Sequence, residues 1–331
     1  MEDYILEMKH VIKKFPGVVA LKNVNLNLKK GEILGICGEN GAGKSTLMKI
    51  LSGSYPYGSY EGEICIDGKP VKFNGVRDAE KYGIEMIFQE INMVLSSSVA
   101  ENLFLGNLPG ENGFVNFKKL YQDTRDILDY VQISADPKEP AAHLNSGQMQ
   151  MLALMRAYIK DPRILVLDEP TSALTNIEVE HLMKILRELK EKGVSCIYIS
   201  HKLEEIYEIC DRVMVLRDGE TISLRNINEI DEKTLIEEMV GREVDDLYPK
   251  VQVKTGEEVL KVENLTVPHP TIKGRNIVEN ISFSLKKGEI LGIGGLVGAG
   301  RSEILEAIFG QITKGVMKDV YVNGKKMNIH D

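Results

Sequence analysis

The sequence predicts an α/β fold built on a parallel sheet, preceded by antiparallel β structure, in a chain that carries a duplicated domain. Ile33 to Cys37, Ile164 to Leu167 and Cys196 to Ile199 are short unbroken apolar runs, the pattern of strands buried on both faces. Between the second and third, Leu182, Ile185, Leu186 and Leu189 recur at helical spacing and Gly193 stops the run, so strand, helix and strand follow in the order of a right-handed crossover. Residues 29–45, KKGEILGICGENGAGKS, return as residues 286–302, KKGEILGIGGLVGAGRS, at an offset of 257 with 13 of 17 positions identical.

The echo sets the domain organisation. Asn23-Val24-Asn25-Leu26 matches Asn280-Ile281-Ser282-Phe283, and Asp67-Gly68-Lys69 matches Asn323-Gly324-Lys325. A period of this length is a repeated domain rather than a solenoid unit. Residues 1–250 read as a first, complete domain, 251–256 as a linker in a polar stretch containing Pro249, and 257–331 as the first portion of a second, incomplete one. On this reading the chain ends inside its second domain, whose strands lack most of their partners.

Taken in order, the first 30 residues and Glu63 to Ile66 alternate and are rich in turns, which predicts antiparallel strands. The apolar run ending at Cys37 leads into Gly38-Glu39-Asn40-Gly41-Ala42-Gly43-Lys44-Ser45, which satisfies G-x-x-x-x-G-K-[ST] and opens a helix from Thr46 to Leu51. Glycines let backbone N–H groups turn inward around a phosphate, and the helix N-terminus adds partial positive charge. Lys44 would reach the terminal phosphates and Ser45 would offer its hydroxyl to Mg²⁺. A chance glycine-rich turn is the plainer alternative, and the strand and helix flanking the loop weigh against it. Ile164-Leu165-Val166-Leu167 ends in Asp168-Glu169, two carboxylates at the edge of the sheet where ligands bind in open α/β folds. Asp168 would hold the metal and Glu169 would polarise the attacking water.

Composition narrows the classes. At 331 residues, about 150 per domain allows two domains, and 43% hydrophobic content is enough for a packed core. A net charge of −8 without a long basic run argues against nucleic acid as a partner. Cys37, Cys65, Cys196 and Cys210 are widely spaced, as buried thiols in a reducing compartment would be, and no zinc spacing occurs. The acidic start lacks signal-peptide order. The longest charge-free stretch, Pro140 to Met155, has 16 residues, several of them polar, where a spanning helix needs about 20 apolar ones.

These motifs resemble the ATP-binding cassette family of transporter ATPases, over essentially the whole chain. Leu144-Asn145-Ser146-Gly147-Gln148 stands where that family has its L-S-G-G-Q signature. Asp168-Glu169-Pro170-Thr171-Ser172-Ala173-Leu174 matches its carboxylate strand and D-loop, His201 after Ser200 its switch histidine, and Gln89 its metal-touching Q-loop glutamine. Phe15 falls where the family stacks an aromatic ring on adenine; by itself it reads equally as a core residue. The resemblance implies a P-loop NTPase core with an antiparallel β subdomain and a helical subdomain, ATP as ligand, and Mg²⁺ held by Ser45, Gln89 and Asp168. The tandem layout is similar to monosaccharide importers whose ATPase subunit fuses two cassettes, the second with G-A-G-R for G-A-G-K. Here that is Gly298-Ala299-Gly300-Arg301-Ser302, and arginine's planar head does not replace a compact ammonium in a tight cradle. Tyr55 to Ile64 and Met239-Val240-Gly241-Arg242-Glu243 resemble the xylose and multiple-monosaccharide branch.

The resemblance further implies transmembrane permease subunits as partners and an extracytoplasmic sugar-binding protein as an indirect one. A second cassette or a second copy of the chain would close on this one, at the cytoplasmic face of a bacterial plasma membrane. Two cassettes would close head to tail, each ATP lying between one phosphate loop and the other's signature. Asn145 and Ser146 depart from the family's signature, so the first cassette's weak signature would face the weak Arg301 loop. Two other classes compete. A soluble cassette ATPase of DNA repair or translation would need coiled-coil insertions, zinc-spaced cysteines or basic arms, and none occurs. A non-hydrolysing regulatory module is disfavoured for the whole protein by Asp168, Glu169 and His201, while this chain by itself, without a second signature, is expected to bind MgATP and to hydrolyse it weakly.

Overall fold

The computed structural model of the chain describes residues 3–89, 92–111, 114–242, 254–269, 272, 274–296 and 298–328. Its internal contacts divide it into two units, Met1–Asp245 and Asp246–Asp331.

The first unit begins with two long strands, β1 (Tyr4–Phe15) and β2 (Val18–Lys29), followed by β3 (Ile33–Cys37), which runs through the glycine-rich loop into α1 (Lys44–Leu51). The helix starts two residues earlier than the sequence predicts, because Gly43 at φ 105° turns the chain directly into it. Then come β4 (Glu61–Ile66), β5 (Lys69–Val71), α2 (Val76–Lys81) and β6 (Ile84–Ile87). A mostly helical stretch holds α3 (Val99–Leu103), the short pair β7 (Gly110–Glu111) and β8 (Phe114–Val115), α4 (Phe117–Tyr130) and α5 (Ser146–Ile159). The chain returns through β9 (Ile164–Asp168), α6 (Asn176–Glu191), β10 (Ser195–Ile199), α7 (Leu203–Ile209), β11 (Arg212–Arg217), β12 (Glu220–Asn226) and α8 (Glu232–Val240). Helix starts are written locally. Ser98 with Glu101, Asn145 with Gln148 and Thr175 with Glu178 each form a reciprocal capping box.

Two sheets result. β2-β1-β4-β5 is antiparallel, and the larger sheet has the order β12-β11-β3-β10-β9-β6, parallel from β11 to β6 with β12 antiparallel at its edge. The unbroken apolar runs of β3, β9 and β10 are buried at every residue. Alternation within them divides the core: Ile33 and Cys37 face a cluster with α5, α6 and α7, while Leu34 and Ile36 face one with α1 and the antiparallel sheet. All four cysteines are free and buried. No described helix is long and apolar enough to cross a membrane.

The second unit contains β13 (Glu258–Pro268), β14 (Asn276–Lys286), α9 (Arg301–Phe309), β15 (Met317–Val322) and β16 (Lys325–Met327). Its strands form an antiparallel sheet β14-β13-β15-β16 over a small core that includes Val262, Leu265, Val278, Ile304 and Val320. This corrects the expectation that the segment's strands lack most partners. β13 to β16 pair with one another, and the deficit falls on residues 290–296, which form no strand among the described residues. Residues 251–253 of the expected linker, with Pro249, Glu243, Glu90 and Val297, lie outside the described residues.

Candidate active site

The glycine-rich loop sits at the C-terminal end of β3. Gly41 and Gly43 take φ of 88° and 105°, a region costly for side chains. A Cβ on Gly43 would also stand 2.7 Å from Leu21 and 2.8 Å from the Ala20 carbonyl. Lys44 is buried in the loop, with Nζ donating to the carbonyls of Gly38 at 2.7 Å and Glu39 at 3.0 Å. Burial pulls the Lys44 ammonium below its ordinary pKa, while the charges of Glu169 and Asp168 act to restore it.

Asp168 ends β9 beside this loop. Burial raises its pKa above the ordinary carboxylate value and the charge of Glu169 adds to that, against a hydrogen bond from Ser45. Glu169 occupies the left-handed region at φ 49°, a conformation that carries strain outside glycine and gathers at functional sites. Its N–H donates to the Ile199 carbonyl at 2.9 Å, tying the ends of β9 and β10 together. Its carboxylate accepts from Gln89 Nε2 at 3.0 Å and lies 3.4 Å from His201 Nδ1. Gln89 after β6 and His201 after β10 thus meet on the carboxylate that follows β9, on the same cavity wall as Lys44.

These groups line an open cavity of about 850 Å³. Its wall takes in every loop residue from Gly38 to Thr46 except Ala42, together with Gln89, Asp168, Glu169 and His201. It adds Ala20 and Met239, which sequence reasoning did not place in the site. Phe15 is not on this wall. Its ring packs edge-on to Tyr55 at 5.6 Å, with Lys13 Nζ 5.1 Å from its centre. Asn145, Ser146, Gly147 and Gln148 open α5 and are not on the wall either; a Cβ on Gly147 would meet Glu178 at 2.7 Å. In the second unit Gly298 and Gly300 keep left-handed φ values of 82° and 85°, but Arg301 and Ser302 are exposed.

A buried carboxylate behind the site was also missed. Glu205 on α7 accepts from Thr171 at 2.7 Å, Tyr198 at 2.9 Å and Ser200 at 2.9 Å, with Lys202 Nζ at 3.1 Å. Burial acts to raise its pKa, but these donors outweigh it and hold the carboxyl below its ordinary value. The cluster joins the segment after Glu169 to the segment carrying His201. Its only sequence signal is the four-residue spacing from His201 to Glu205.

A strand, a phosphate-type loop and a strand-end carboxylate pair, inserted by a helical stretch, define a nucleotide-binding cassette, and the comparisons name its class. Residues 21–172 match the ABC transporter family. The xylose import ATP-binding protein XylG of Thermoanaerobacter pseudethanolicus is 49% identical over 330 residues, covering 100% of this chain and 65% of that protein. The L-arabinose transport ATP-binding protein AraG of Geobacillus stearothermophilus is 43% identical over 334 residues, with the same coverage of 100% and 65%. Among solved structures, cbiO1 from Clostridium perfringens, part of the ABC transporter complex cbiONQ, is 30% identical with a TM-score of 0.59, covering 75% of this chain and 97% of that one. The chain belongs to the ABC transporter family, as an ATP-binding cassette protein. It spans 65% of the length of the curated relatives it matches.

Proposed function

We propose that the chain binds MgATP in the cavity around Lys44 and, as part of a sugar importer's ATPase subunit, energises passage of a pentose such as xylose or a related monosaccharide through a membrane permease. The observation that carries this reading is the meeting of Lys44, Ser45, Gln89, Asp168, Glu169 and His201 on one cavity. The names of the relatives, xylose and arabinose import proteins, support the sugar class. The donor set suits Mg²⁺: hydroxyl, carboxylate and amide oxygens are hard ligands, and among the described residues no group of three or more His, Cys, Asp or Glu forms a metal cage of its own. Ser45 and Asp168 would hold the ion, with Gln89 beside them, and it would neutralise charge on the phosphates.

The chain's own groups divide the remaining work. The loop N–H groups and the α1 N-terminus bind phosphate, and Lys44 supplies a point charge held in place by two carbonyls. Glu169, fixed by its backbone bond to β10 and by Gln89, would take the proton of the attacking water, and His201 would brace the terminal phosphate. Closure against a second cassette would exclude water and add the opposing signature. A cavity of about 350 Å³ beside Ile87, Phe88, Leu105 and Arg156 supports the segment from Gln89 to Gly106 as the coupling face toward a permease at the cytoplasmic side of the membrane. The sugar-binding protein would act only through that permease.

The test is steady-state ATP hydrolysis against concentration of the chain, with Glu169→Gln as blank. Glu169→Gln should keep ATP bound and lower turnover by about 10²–10⁴-fold; unchanged turnover removes Glu169 from its role. A low, flat specific activity supports a site completed by a second cassette's signature. A specific activity that climbs with concentration means that first cassettes pair with one another, Asn145 and Ser146 included.

A further inference from the structure

The backbone ladder between β9 and β10 gives out just before Glu169 and His201. Its last described rungs pair Tyr198 with Leu167 and Ile199 with Asp168, and the Glu169 N–H then donates to the Ile199 carbonyl. Past that point the chains part, one into Pro170-Thr171 and the other into Ser200-His201-Lys202. Glu169 keeps a left-handed φ of 49°, a conformation that persists only where neighbouring bonds impose it. The His201 side chain is 60% exposed, so its place depends on where its backbone is put.

Beyond the ladder the two segments meet on one carboxylate, Glu205 of α7. Its Oε1 accepts from the Thr171 hydroxyl at 2.7 Å and faces Lys202 Nζ at 3.1 Å. Its Oε2 accepts from the hydroxyls of Ser200 and Tyr198, each at 2.9 Å. Ser200 Oγ in turn accepts from the Lys202 N–H at 3.0 Å, and Lys202 Nζ donates to Thr171 Oγ1 at 3.2 Å. Thr171 lies two residues after Glu169, and Ser200 and Lys202 flank His201. Four donors fill the acceptor capacity of a carboxylate, which leaves Glu205 no free lone pair for another task. Glu205 is buried and is not on the cavity wall, so it acts through the residues it holds.

We propose that Glu205 is a positioning residue for ATP hydrolysis. By tying Thr171 to Ser200 and Lys202 it keeps the Glu169 carboxylate 3.4 Å from His201 Nδ1, so that the attacking water and the terminal phosphate meet both groups together. The inference rests on the MgATP reading above.

Single-turnover hydrolysis and equilibrium MgATP binding on the full chain test it, with Glu169→Gln as blank. Thr171→Val keeps the side-chain shape and loses the donor. Both it and Glu205→Gln should lower turnover about tenfold while MgATP affinity stays within about threefold of wild type. Thr171→Ser, which restores the hydroxyl, should return turnover to within about threefold of wild type. Glu32→Gln is the control for lost stability. Glu32 is another buried carboxylate, accepting from the Lys29 N–H at 2.6 Å and paired with Arg212 at 2.8 Å, at the far end of β3 from the phosphate loop. That variant should destabilise the chain and leave turnover unchanged. The phosphorus NMR resonance of the bound γ-phosphate reads the same geometry without turnover. His201→Ala should shift it, and Thr171→Val should shift it the same way with the α-phosphate resonance unmoved. Unchanged turnover and an unchanged γ resonance in Thr171→Val overturn the proposal. An equal fall in turnover in Glu32→Gln also overturns it, by reducing Glu205 to a support of the fold, as does a parallel loss of MgATP affinity in Glu205→Gln. If Lys44→Ala does not weaken MgATP binding, the nucleotide reading fails independently of Glu205.

Discussion

Residues 32–36 and 289–293 are the same five amino acids, Glu-Ile-Leu-Gly-Ile, in two different structures. In the first copy they enter β3, and Ile33, Leu34 and Ile36 are all 0% exposed. In the second they form no strand, and Ile290 is 99% exposed. What precedes them is alike. The Lys29 N–H donates to Glu32 at 2.6 Å and the Lys286 N–H to Glu289 at 2.8 Å, the same turn made twice. The tight hairpins agree too: Asp67 and Gly68 have φ of 49° and 72°, Asn323 and Gly324 49° and 74°. Turns made from neighbouring residues are therefore reproduced, and the central strand is not. β3 is paired on both edges, by β10 and β11, and no counterparts of those two strands occur among the second unit's described residues. A short apolar run becomes a buried strand when such partners cover it.

Hydrogen exchange offers the largest contrast. Amides of residues 33–37 should exchange at least about a thousandfold more slowly than those of 290–293, since the former open only with much of the sheet. Comparable protection in the two would break the comparison. Next in size is the loop pair: Lys44→Ala should weaken MgATP binding by about a hundredfold and Arg301→Ala should leave it unchanged, measured by equilibrium titration. A loss of affinity in Arg301→Ala would make the second loop a working site.

Stability sharpens the point at the strand itself. Ile33→Ala should cost about 2–4 kcal/mol in urea unfolding and Ile290→Ala no more than about 0.5 kcal/mol, because only the first leaves a cavity. Equal effects would mean that Ile290 is buried in solution. The smallest effect is at Glu205. Glu205→Gln should cost about 1–3 kcal/mol near neutral pH through the loss of hydrogen bonds to a charge. Its folded pKa lies below the ordinary 4.5, so its contribution is present above 4.5 and is lost as pH falls through the lowered value. The wild type should therefore lose stability across that acid window and converge on the flatter Glu205→Gln profile. Parallel profiles would show that Glu205 gains nothing from its donors.

Much of the fold and site was legible because it is written in short range. The helix stopped by Gly193, the duplicated loop and the Asp168-Glu169 pair need only neighbours along the chain, and the structure has all of them; the three apolar runs were legible as candidates, and partners distant in sequence made them strands. Gln89 and His201 were legible through a family resemblance, and their approach to Glu169 is a product of the sheet order. Other features depended on residues far apart. Glu205 gathers donors from Thr171, Tyr198, Ser200 and Lys202 because α7 lies against β10 and the segment after β9. Met239 joins the cavity wall because α8 is tied to β11 and β12. The sequence by itself determined the loop, the caps, the hairpins and the carboxylates, whose geometry follows from local dihedrals and neighbouring hydrogen bonds. Only the tertiary structure decided which copy of Glu-Ile-Leu-Gly-Ile is a strand and which donors gather on Glu205, because burial is conferred by partners distant in sequence.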